Sequence, residues 1–260
     1  MEWVGRVRSL WRYPVKSMRG QVIEQAFVGY AGIYGDRLYA FRSEKRSAVF
    51  PWLTGRELRD MLCYVPRFAH PQRALCPPHW QQAREIEPGL SPIDASADDL
   101  ALRVETPAGA LWPVHDERLL RALEQGAGER LSLTRSDKAL TDCRPVSIFS
   151  LQSATRLGEE LGLSMDVRRF RANIVVDLPE TGGFAEDAFV GRRLHLGDEA
   201  VVAVVERDPR CAMVTLHPET GESNPRILKQ IVRQHEGRVG VYGAVINQGV
   251  VGSGDDVCLD

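Results

Sequence analysis

The sequence is poor in cysteine and has no long apolar run. Its 260 residues include 5 cysteines, an odd number and widely scattered, which argues against a disulfide framework and is typical of a reducing compartment. No uninterrupted apolar run approaches the roughly 20 residues that span a bilayer. The N-terminal segment MEWVGRVRSLW also lacks the apolar region of a secretory signal. We therefore expect a cytoplasmic protein with no membrane partner.

An excess of charge of one sign is also absent. The 33 basic and 35 acidic side chains give a net charge of −2, whereas a dedicated nucleic-acid binder would be more basic, so we expect no nucleic-acid partner. Hydrophobic residues make up 43% and charged residues 26%, which is ordinary for a globular protein. The length allows one large domain or two of ordinary size, with a core that can hold a cofactor.

Alternating apolar positions, interrupted by glycine and proline, predict strands over most of the chain. Residues 2–42 follow this pattern, and LALRVETPAGALWPV predicts a hairpin turning at Pro-Ala-Gly. Residues 66–92 are rich in proline without a clean period, which predicts an irregular surface segment. The final segment, GVYGAVINQGVVGSGDDVCL, predicts two short strands joined by glycine-rich turns.

Helices are predicted in three segments, each with its own start and stop signals. They are DERLLRALEQGAG with Asp116 as N-cap and Gly126 just past its end, SLQSATRLGEELG from near Ser150 to Gly162, and SNPRILKQIVRQHEG with Pro225 in its first turn and Gly237 beyond its end. The predicted fold class is mainly β with helices (α+β), in two barrel-like halves that meet near residue 125.

Cys211 lies at a bend, in the segment DPRCAMVTLHPETG that follows the apolar run AVVAVVE. Arg207 and Arg210 are close in sequence, and nearby cations stabilise the thiolate that acts as ligand or nucleophile. Pro209 takes this position out of a regular strand ladder. A free cysteine more often packs as a small hydrophobe, and that interpretation is kept for the other four, Cys63, Cys76, Cys143 and Cys258.

Three functional uses of Cys211 remain open. A zinc site needs several ligands, and Cys211 with His217 forms only one pair. A catalytic nucleophile needs a base, for which His217 is a poor candidate. A single thiolate completing the coordination of a cofactor-held metal needs a cradle of basic and polar groups. Such groups suit a phosphate or a polar ring edge, although each alone is typical of solvated surface, and they are Lys16, Ser17, Thr54, Arg56, Arg168, Arg169, Arg171 and Asn173.

Six segments, taken in order, resemble the MOSC family with its N-terminal β-barrel domain. They are LWRYPVKSMRG, LTGRE, DCRPVSIFS, FRANIVV, FAEDAFVGRRLHLGD and RCAMVTLHPETGE. Within that family the chain is similar to the mitochondrial amidoxime-reducing component and its bacterial relatives, which bind the molybdenum cofactor (Mo-molybdopterin). The resemblance implies an N-terminal MOSC-associated β-barrel domain over residues 1–125 and a MOSC β-barrel domain over residues 126–260.

The resemblance also implies roles for single residues. Cys211 falls on the cysteine that coordinates molybdenum and would be catalytic. Asp142 falls on an aspartate near the metal, where a carboxylate suits proton transfer, although a turn-forming aspartate is the alternative. The implied cofactor contacts are Lys16, Ser17, Thr54 and Arg56, with Arg171 and Asn173 holding the pterin and phosphate.

The implied function is a molybdenum-cofactor oxidoreductase that reduces small N-hydroxylated compounds such as amidoximes and hydroxylamines. The cysteines lack C-x4-C-x2-C spacing, so we expect electrons from a separate ferredoxin, flavodoxin or cytochrome-type protein. Two alternatives are a non-catalytic carrier of the cofactor or of sulfur, and a metal-free transferase with Cys211 as nucleophile. Cys143 and Arg144 after Asp142, and the apparent insertion AVFPW before LTGRE, depart from the relatives and are expected to change substrate access.

Overall fold

The structure, a computed structural model, describes residues 1–78, 80, 82, 85, 98–179 and 182–260. Its strands within those residues are β1 (Glu2–Arg12), β2 (Gln21–Ile23), β3 (Gln25–Gly29), β4 (Gly32–Ile33), β5 (Tyr39–Ser43), β6 (Val65–Phe68), β7 (Leu102–Glu105), β8 (Leu111–Pro113), β9 (Leu131–Arg135), β10 (Val146–Ser150), β11 (Ile174–Asp177), β12 (Arg193–Leu196), β13 (Ala200–Pro209), β14 (Arg238–Asn247), β15 (Gly249–Gly252) and β16 (Asp256–Leu259). Its helices are α1 (Glu117–Ala127), α2 (Leu151–Leu161) and α3 (Pro225–Gln234).

Seven strands close into a barrel. Their order is β11, β10, β14, β13, β12, β16 and β1, and β1 returns to pair with β11. Because β1 has 11 residues, its beginning pairs with β16 while its later part pairs with β11 and β2. The β10–β11 pair is parallel, and the other ladders of the barrel are antiparallel. The N-terminal strand therefore completes a barrel whose other strands come from the second half of the chain.

Alternate residues of each barrel strand point inward and fill the barrel interior. In β13, Ala200, Val202 and Val204 are buried, whereas Val205 is exposed to solvent, as a period of two requires. They pack with Val7 and aliphatic residues of the other strands in one core cluster. Burying each valine or leucine contributes about 1.5–3 kcal/mol, so the barrel is a rigid frame for the loops at its ends.

A second core lies beside the barrel. Of three small sheets outside the barrel, β5-β9 and β6-β7-β8 contribute buried residues to this second core, whereas those of β15-β3-β4 pack with the barrel core. Leu119 and Leu123 of α1 pack with Phe41 and Leu53 in the second core cluster. The architecture confirms the predicted mainly β, α+β class. The β1–β11 and β5–β9 pairs both join residues on either side of position 125, so the division at that position stays a prediction.

The predicted helix starts are confirmed, and one predicted end was wrong. The Asp116 side chain accepts a hydrogen bond from the N–H of Arg118, but α1 continues through Gly126 and ends where Gly128 adopts φ 67°. Helix α2 runs from its N-cap Ser150 to Gly162, as predicted. Helix α3 begins with Pro225 and ends at Gln234 with His235 as C-cap, so Gly237 lies beyond its end, as predicted.

Two strand predictions were also wrong. Residues 65–68 form β6 inside the segment predicted to be irregular, and Pro66 is tolerated there because β6 is an edge strand. Part of the rest of that segment lies outside the described residues. The C-terminal segment forms three strands, because the chain leaves the barrel at β15 to pair with β3 before returning as β16. In the described part of the chain, no helix is both long and apolar enough to cross a membrane.

Candidate functional site

A cavity of about 260 Å³ opens between the barrel and the second core. It is lined by loops from both halves of the chain, among them the segment after β1, the segment just before β11 and the end of β13. The eight residues given a role by the resemblance all line this cavity, and they are Lys16, Ser17, Thr54, Arg56, Asp142, Arg171, Asn173 and Cys211. Of the two other candidate arginines, Arg169 lines the cavity and Arg168 does not. The structure therefore brings the predicted set together, while the role of each residue stays a prediction.

Strained backbone is concentrated at the cavity. Of the five described non-glycine residues with positive φ, three line it: Ser17 (67°), Arg37 (43°) and Arg171 (52°). Side chains rarely adopt this left-handed conformation because Cβ approaches the backbone, and each such residue costs about 1–2 kcal/mol. Strain of this kind persists where surrounding structure enforces it, which is common at ligand sites.

Cys211 follows Pro209, the last residue of β13, and caps a short 3-10 helix, Ala212–Thr215. Its carbonyl accepts a hydrogen bond of 3.2 Å from the N–H of Val214, and its half-buried thiol lines the cavity. Among the described residues, no group of three or more His, Cys, Asp or Glu side chains comes together to hold a metal ion. Cys211 thus supplies a single soft donor.

Two other side chains bear on the alternatives for Cys211. His217 is not among the cavity-lining residues, and its Nδ1 accepts a hydrogen bond from the N–H of Glu219, so it does not form a base for the Cys211 thiol. Cys143 does line the cavity, 3.8 Å from Oε1 of Glu206. Burial and the Glu206 carboxylate raise the pKa of Cys143, which disfavours its thiolate.

Lys16 and Asp142 form an ion pair at the edge of the cavity. The Lys16 ammonium contacts Oδ1 of Asp142 and donates a 2.7 Å hydrogen bond to the carbonyl of Leu140. The Lys16 side chain is buried, whereas that of Asp142 is 48% exposed. Burial lowers the pKa of Lys16, and the Asp142 carboxylate opposes that effect. The pair therefore connects the cavity interior to solvent.

Thr54 and Arg56 form the opposite rim with the inserted segment. The Thr54 hydroxyl donates to Oε2 of Glu57 at 2.7 Å and accepts from Nε of Arg56 at 3.1 Å. The Arg56 guanidinium carbon lies 4.7 Å from the ring centroid of Phe50, and the Lys16 Nζ lies 5.6 Å from it. Phe50 belongs to the AVFPW segment, so this segment places an aromatic ring next to two cavity-lining cations, although Phe50 itself is not among the lining residues.

Arg171 is a partly buried cation with no carboxylate partner among the described residues. Its Nη1 donates a 2.9 Å hydrogen bond to the carbonyl of Met18, while its Nη2 is buried with no hydrogen-bond partner among the described residues. No ion pair to Arg171 occurs in the described part of the chain. Burial lowers its pKa to about 10, which leaves it protonated at neutral pH.

Asn173 has its side chain committed to the backbone. Its amide nitrogen donates to the carbonyl of Trp11 at 3.2 Å, and its amide oxygen accepts from the N–H of Ser147 at 3.3 Å. Because Trp11 lies in β1 and Ser147 in β10, Asn173 fixes the position of β1 relative to β10 within the barrel. Its contribution at the cavity wall is mainly to place neighbouring groups.

Several lining residues were missed by the sequence reasoning, above all Arg37, Asp208 and Tyr242, while Arg210 was named only as a cation near Cys211. Asp208 is buried, and its Oδ2 accepts hydrogen bonds from Ser147 Oγ at 3.1 Å and pairs with Arg210 Nη1 at 2.8 Å. Burial raises the pKa of Asp208 to about 6. The Nη2 of Arg210, like that of Arg171, is buried with no partner among the described residues. Adjacency to Cys211 was the one sequence signal for Arg210.

Comparison with known proteins gives matches in both halves of the chain. The sequence model of the MOSC domain matches residues 135–258, and that of the MOSC N-terminal beta barrel domain matches residues 4–50. The mitochondrial amidoxime-reducing component 1 of Mus musculus is 23% identical over an alignment covering 100% of this chain and 83% of that protein. These matches confirm the family resemblance drawn from the motifs.

Of two further similarities, one covers only part of the chain and the other is distant in sequence. A molybdenum cofactor sulfurase of Drosophila grimshawi is 34% identical over 125 residues, which is 47% of this chain and 16% of that protein. The crystal structure of the YUAD protein from Bacillus subtilis aligns with 97% of this chain and 93% of that chain, at a TM-score of 0.47 and 14% identity.

Proposed function

Because this chain contains a MOSC N-terminal beta barrel domain followed by a MOSC domain, we propose that it binds the molybdenum cofactor and reduces N-hydroxylated compounds such as amidoximes and hydroxylamines. One observation carries the proposal. Arg171, a partly buried cation whose buried Nη2 has no hydrogen-bond partner and which has no carboxylate partner among the described residues, lines the same cavity as the Cys211 thiol. Such a cavity suits a ligand that is both anionic and in need of a soft donor.

The cavity's donors fit the phosphate of the pterin. Arg171 and Arg210 each present a buried Nη2 without a partner in the described structure. An unsatisfied buried donor costs about 1–3 kcal/mol, and more for a charged group, so a bound anion would relieve both sites. Phosphate oxygens form short, charge-assisted hydrogen bonds with guanidinium groups.

The Cys211 thiol fits the metal of the same cofactor. Sulfur ligands favour soft metal centres, and one protein donor suffices when the cofactor supplies the others. Pro209 and the 3-10 helix hold Cys211 at the cavity wall, where the backbone turns away from β13. Lys16, Ser17, Thr54 and Arg56 would contact the cofactor from the other half of the chain.

When bound, the cofactor supplies the two-electron redox chemistry that removes oxygen from an N–OH group. The overall reduction consumes two protons and releases the amine and water. Lys16 and Asp142 are placed to hold and transfer those protons, because the pair joins the buried cavity to solvent. Phe50, stacked near Arg56 and Lys16, would shield the reacting group from bulk water. Electrons would come from a separate ferredoxin, flavodoxin or cytochrome-type donor.

A second function is favoured by the similarity to a molybdenum cofactor sulfurase. In that case the chain would hold the cofactor, or pass on sulfur, without turning over a substrate. The similarity covers about half of this chain and a small part of the sulfurase, so it supports cofactor binding more directly than it supports sulfur transfer.

Turnover separates the two functions. The protein, purified from a host that makes the cofactor, is supplied with a reduced viologen dye and benzamidoxime, and benzamidine formation is followed. The proposed enzyme forms benzamidine with simultaneous oxidation of the dye, and the Cys211→Ala variant does not. Protein that contains molybdenum but reduces neither benzamidoxime nor any other amidoxime or hydroxylamine would favour the carrier function.

A further inference from the structure

Behind the cavity wall lies an aromatic ring in contact with two guanidinium groups. The guanidinium carbons of Arg171 and Arg37 lie 4.2 and 4.6 Å from the centroid of the Tyr13 ring. Tyr13 is 2% exposed and is not among the cavity-lining residues, whereas both arginines are. Any influence of Tyr13 on a ligand must therefore act through these two neighbours.

The two arginines differ in how their charges are balanced. Arg37 pairs with the buried carboxylate of Asp36, and its Nη2 donates a 3.0 Å hydrogen bond to the carbonyl of Arg171. Arg171 pairs with no carboxylate in the described part of the chain, and the Tyr13 ring packs against its guanidinium. Met18 accepts from Nη1 of Arg171, which leaves Nη2 free.

An aromatic ring attracts a cation without neutralising it. The negative face of the ring favours the guanidinium, but the ring adds no charge. Burial raises the pKa of the Tyr13 phenol to about 12, so it is neutral at physiological pH. Its hydroxyl has no hydrogen-bond partner among the described residues. The ring, rather than the hydroxyl, is therefore the part of Tyr13 that acts on Arg171.

The position of the ring is fixed from several sides. The N–H of Tyr13 donates to Oδ1 of Asp36 at 2.7 Å, and its carbonyl accepts from the N–H of Arg37 at 2.8 Å. The backbone at Gly20 also lies against the ring, because a Cβ added at Gly20 would overlap it. Tyr13 is thus held rigidly, as a residue that orients another side chain must be.

We propose that Tyr13 is a positioning residue that keeps the Arg171 guanidinium oriented and free of a counter-ion, so that Arg171 binds a phosphate group in the cavity. This inference rests on the proposed function, since it specifies how the chain would hold the phosphate of the cofactor. It assigns Tyr13, in the YPVKS segment, an effect on anion affinity that acts through its ring face.

The test uses cofactor-free protein, made in a host that cannot synthesise the cofactor, and inorganic phosphate as the probe in calorimetric titrations. Tyr13→Phe keeps the ring and is expected to bind phosphate as the wild type does. Tyr13→Leu removes the ring and is expected to weaken phosphate binding about tenfold, the scale of a desolvated cation–π contact. Gly20→Ala, which displaces the ring without changing Tyr13, is expected to weaken binding in the same direction.

Phe68→Leu is the matched control. The Arg12 guanidinium carbon lies 4.3 Å from the Phe68 centroid, and neither residue lines the cavity. This variant loses a buried cation–π contact of the same kind, so it is expected to be destabilised yet to bind phosphate like the wild type. Circular dichroism confirms folding of each variant, and Gly20→Ala decides the test if Tyr13→Leu does not fold.

Three results would overturn the inference: a wild type that does not bind phosphate, equal binding by the wild type and the ring-displaced variants, or an equal loss in Phe68→Leu. The molybdenum content of wild-type protein from a cofactor-producing host is measured in parallel. Ring-dependent phosphate binding without molybdenum would refute the proposed function and support this inference. Molybdenum with ring-independent phosphate binding would refute this inference alone.

Discussion

Asp208 is a single residue whose ionisation ties the cavity to the stability of the fold. Burial raises its pKa to about 6 even though Arg210 lies 2.8 Å away, while an unfolded aspartate titrates near 3.9. Between these values the native protein holds a proton that the unfolded chain has lost. The contribution of Asp208 is thus complete below about pH 4 and is lost as pH rises through about 6.

The first prediction concerns this pH dependence. Denaturant unfolding of the wild type and of Asp208→Asn at pH 4, 5, 6 and 7 should show their difference in unfolding free energy changing by about 2 kcal/mol, with the wild type losing stability relative to the variant as pH rises. The change should fall between pH 4 and pH 6. Parallel curves for the two proteins across this range would contradict the assigned pKa shift.

Cys211 carries the second prediction at the scale of one residue. Cys211→Ser removes the proposed soft ligand with little change in volume, so we expect the variant to fold normally and to lose amidoxime reduction almost completely. Cys258→Ala, a half-buried cysteine of β16 away from the cavity, is the matched control and should retain activity. Wild-type turnover by the serine variant would refute the ligand role.

The loops that line the cavity hold single residues in unfavourable backbone conformations. Ser17 has φ 67° at the cavity, and Glu236 has φ 57° after α3, outside the cavity. Glycine adopts this conformation without strain, so Ser17→Gly and Glu236→Gly should each raise the unfolding free energy by about 1 kcal/mol. This third prediction is checked by chemical denaturation of both variants.

The same pair separates strain from function. Ser17→Gly also removes a hydroxyl from the cavity, so we expect it to lower cofactor content, whereas Glu236→Gly should leave cofactor content unchanged. Stabilisation in both variants with equal cofactor content would show that the Ser17 hydroxyl contributes nothing to cofactor binding.

The elements that depend on local chemistry are those the sequence predicted best. Helix starts at Asp116, Ser150 and Pro225 follow from capping and proline rules acting within one turn. Strand β6 was missed because its Pro66 is acceptable only at a sheet edge, a property that depends on distant partners. The detour of β15 to β3 is likewise set by tertiary pairing rather than by local pattern.

The candidate site shows the same division. Cys211, Lys16 and Asp142 were named from motifs, and the structure places them in one cavity. Arg37 and Asp208 were not, because burial, left-handed backbone and ion pairing across the chain leave no mark on nearby residues. Asn173 was named for a cofactor contact, yet its amide spans β1 and β10, which only coordinates reveal.

At the scale of the whole molecule, β1 links the two predicted domains. It pairs with β11 on one side and β16 on the other, so residues 126–260 alone would leave two barrel edges open. We propose residues 1–125 and 126–260 as the two domains, and we expect the second to depend on the first for folding, since exposed edges favour aggregation.

The fourth prediction follows from this dependence. A fragment of residues 126–260 should lack a cooperative unfolding transition and should aggregate, whereas the whole chain should unfold cooperatively. Fusing residues 1–12 to the end of the fragment through a flexible linker should restore cooperative unfolding in part, because it returns β1 to the barrel. A fragment that folds cooperatively without β1 would contradict the proposed closure.

The central claim is that a cavity between the barrel and the second core holds a molybdenum-containing anion through Cys211 and buried arginines. Elemental analysis of protein purified from a cofactor-producing host tests it most directly. The account predicts stoichiometric molybdenum in the wild type, strongly reduced molybdenum in Arg171→Gln and Cys211→Ala, and undiminished molybdenum in Cys258→Ala. Wild-type protein without molybdenum, or a Cys211→Ala variant that retains it in full, would contradict the account.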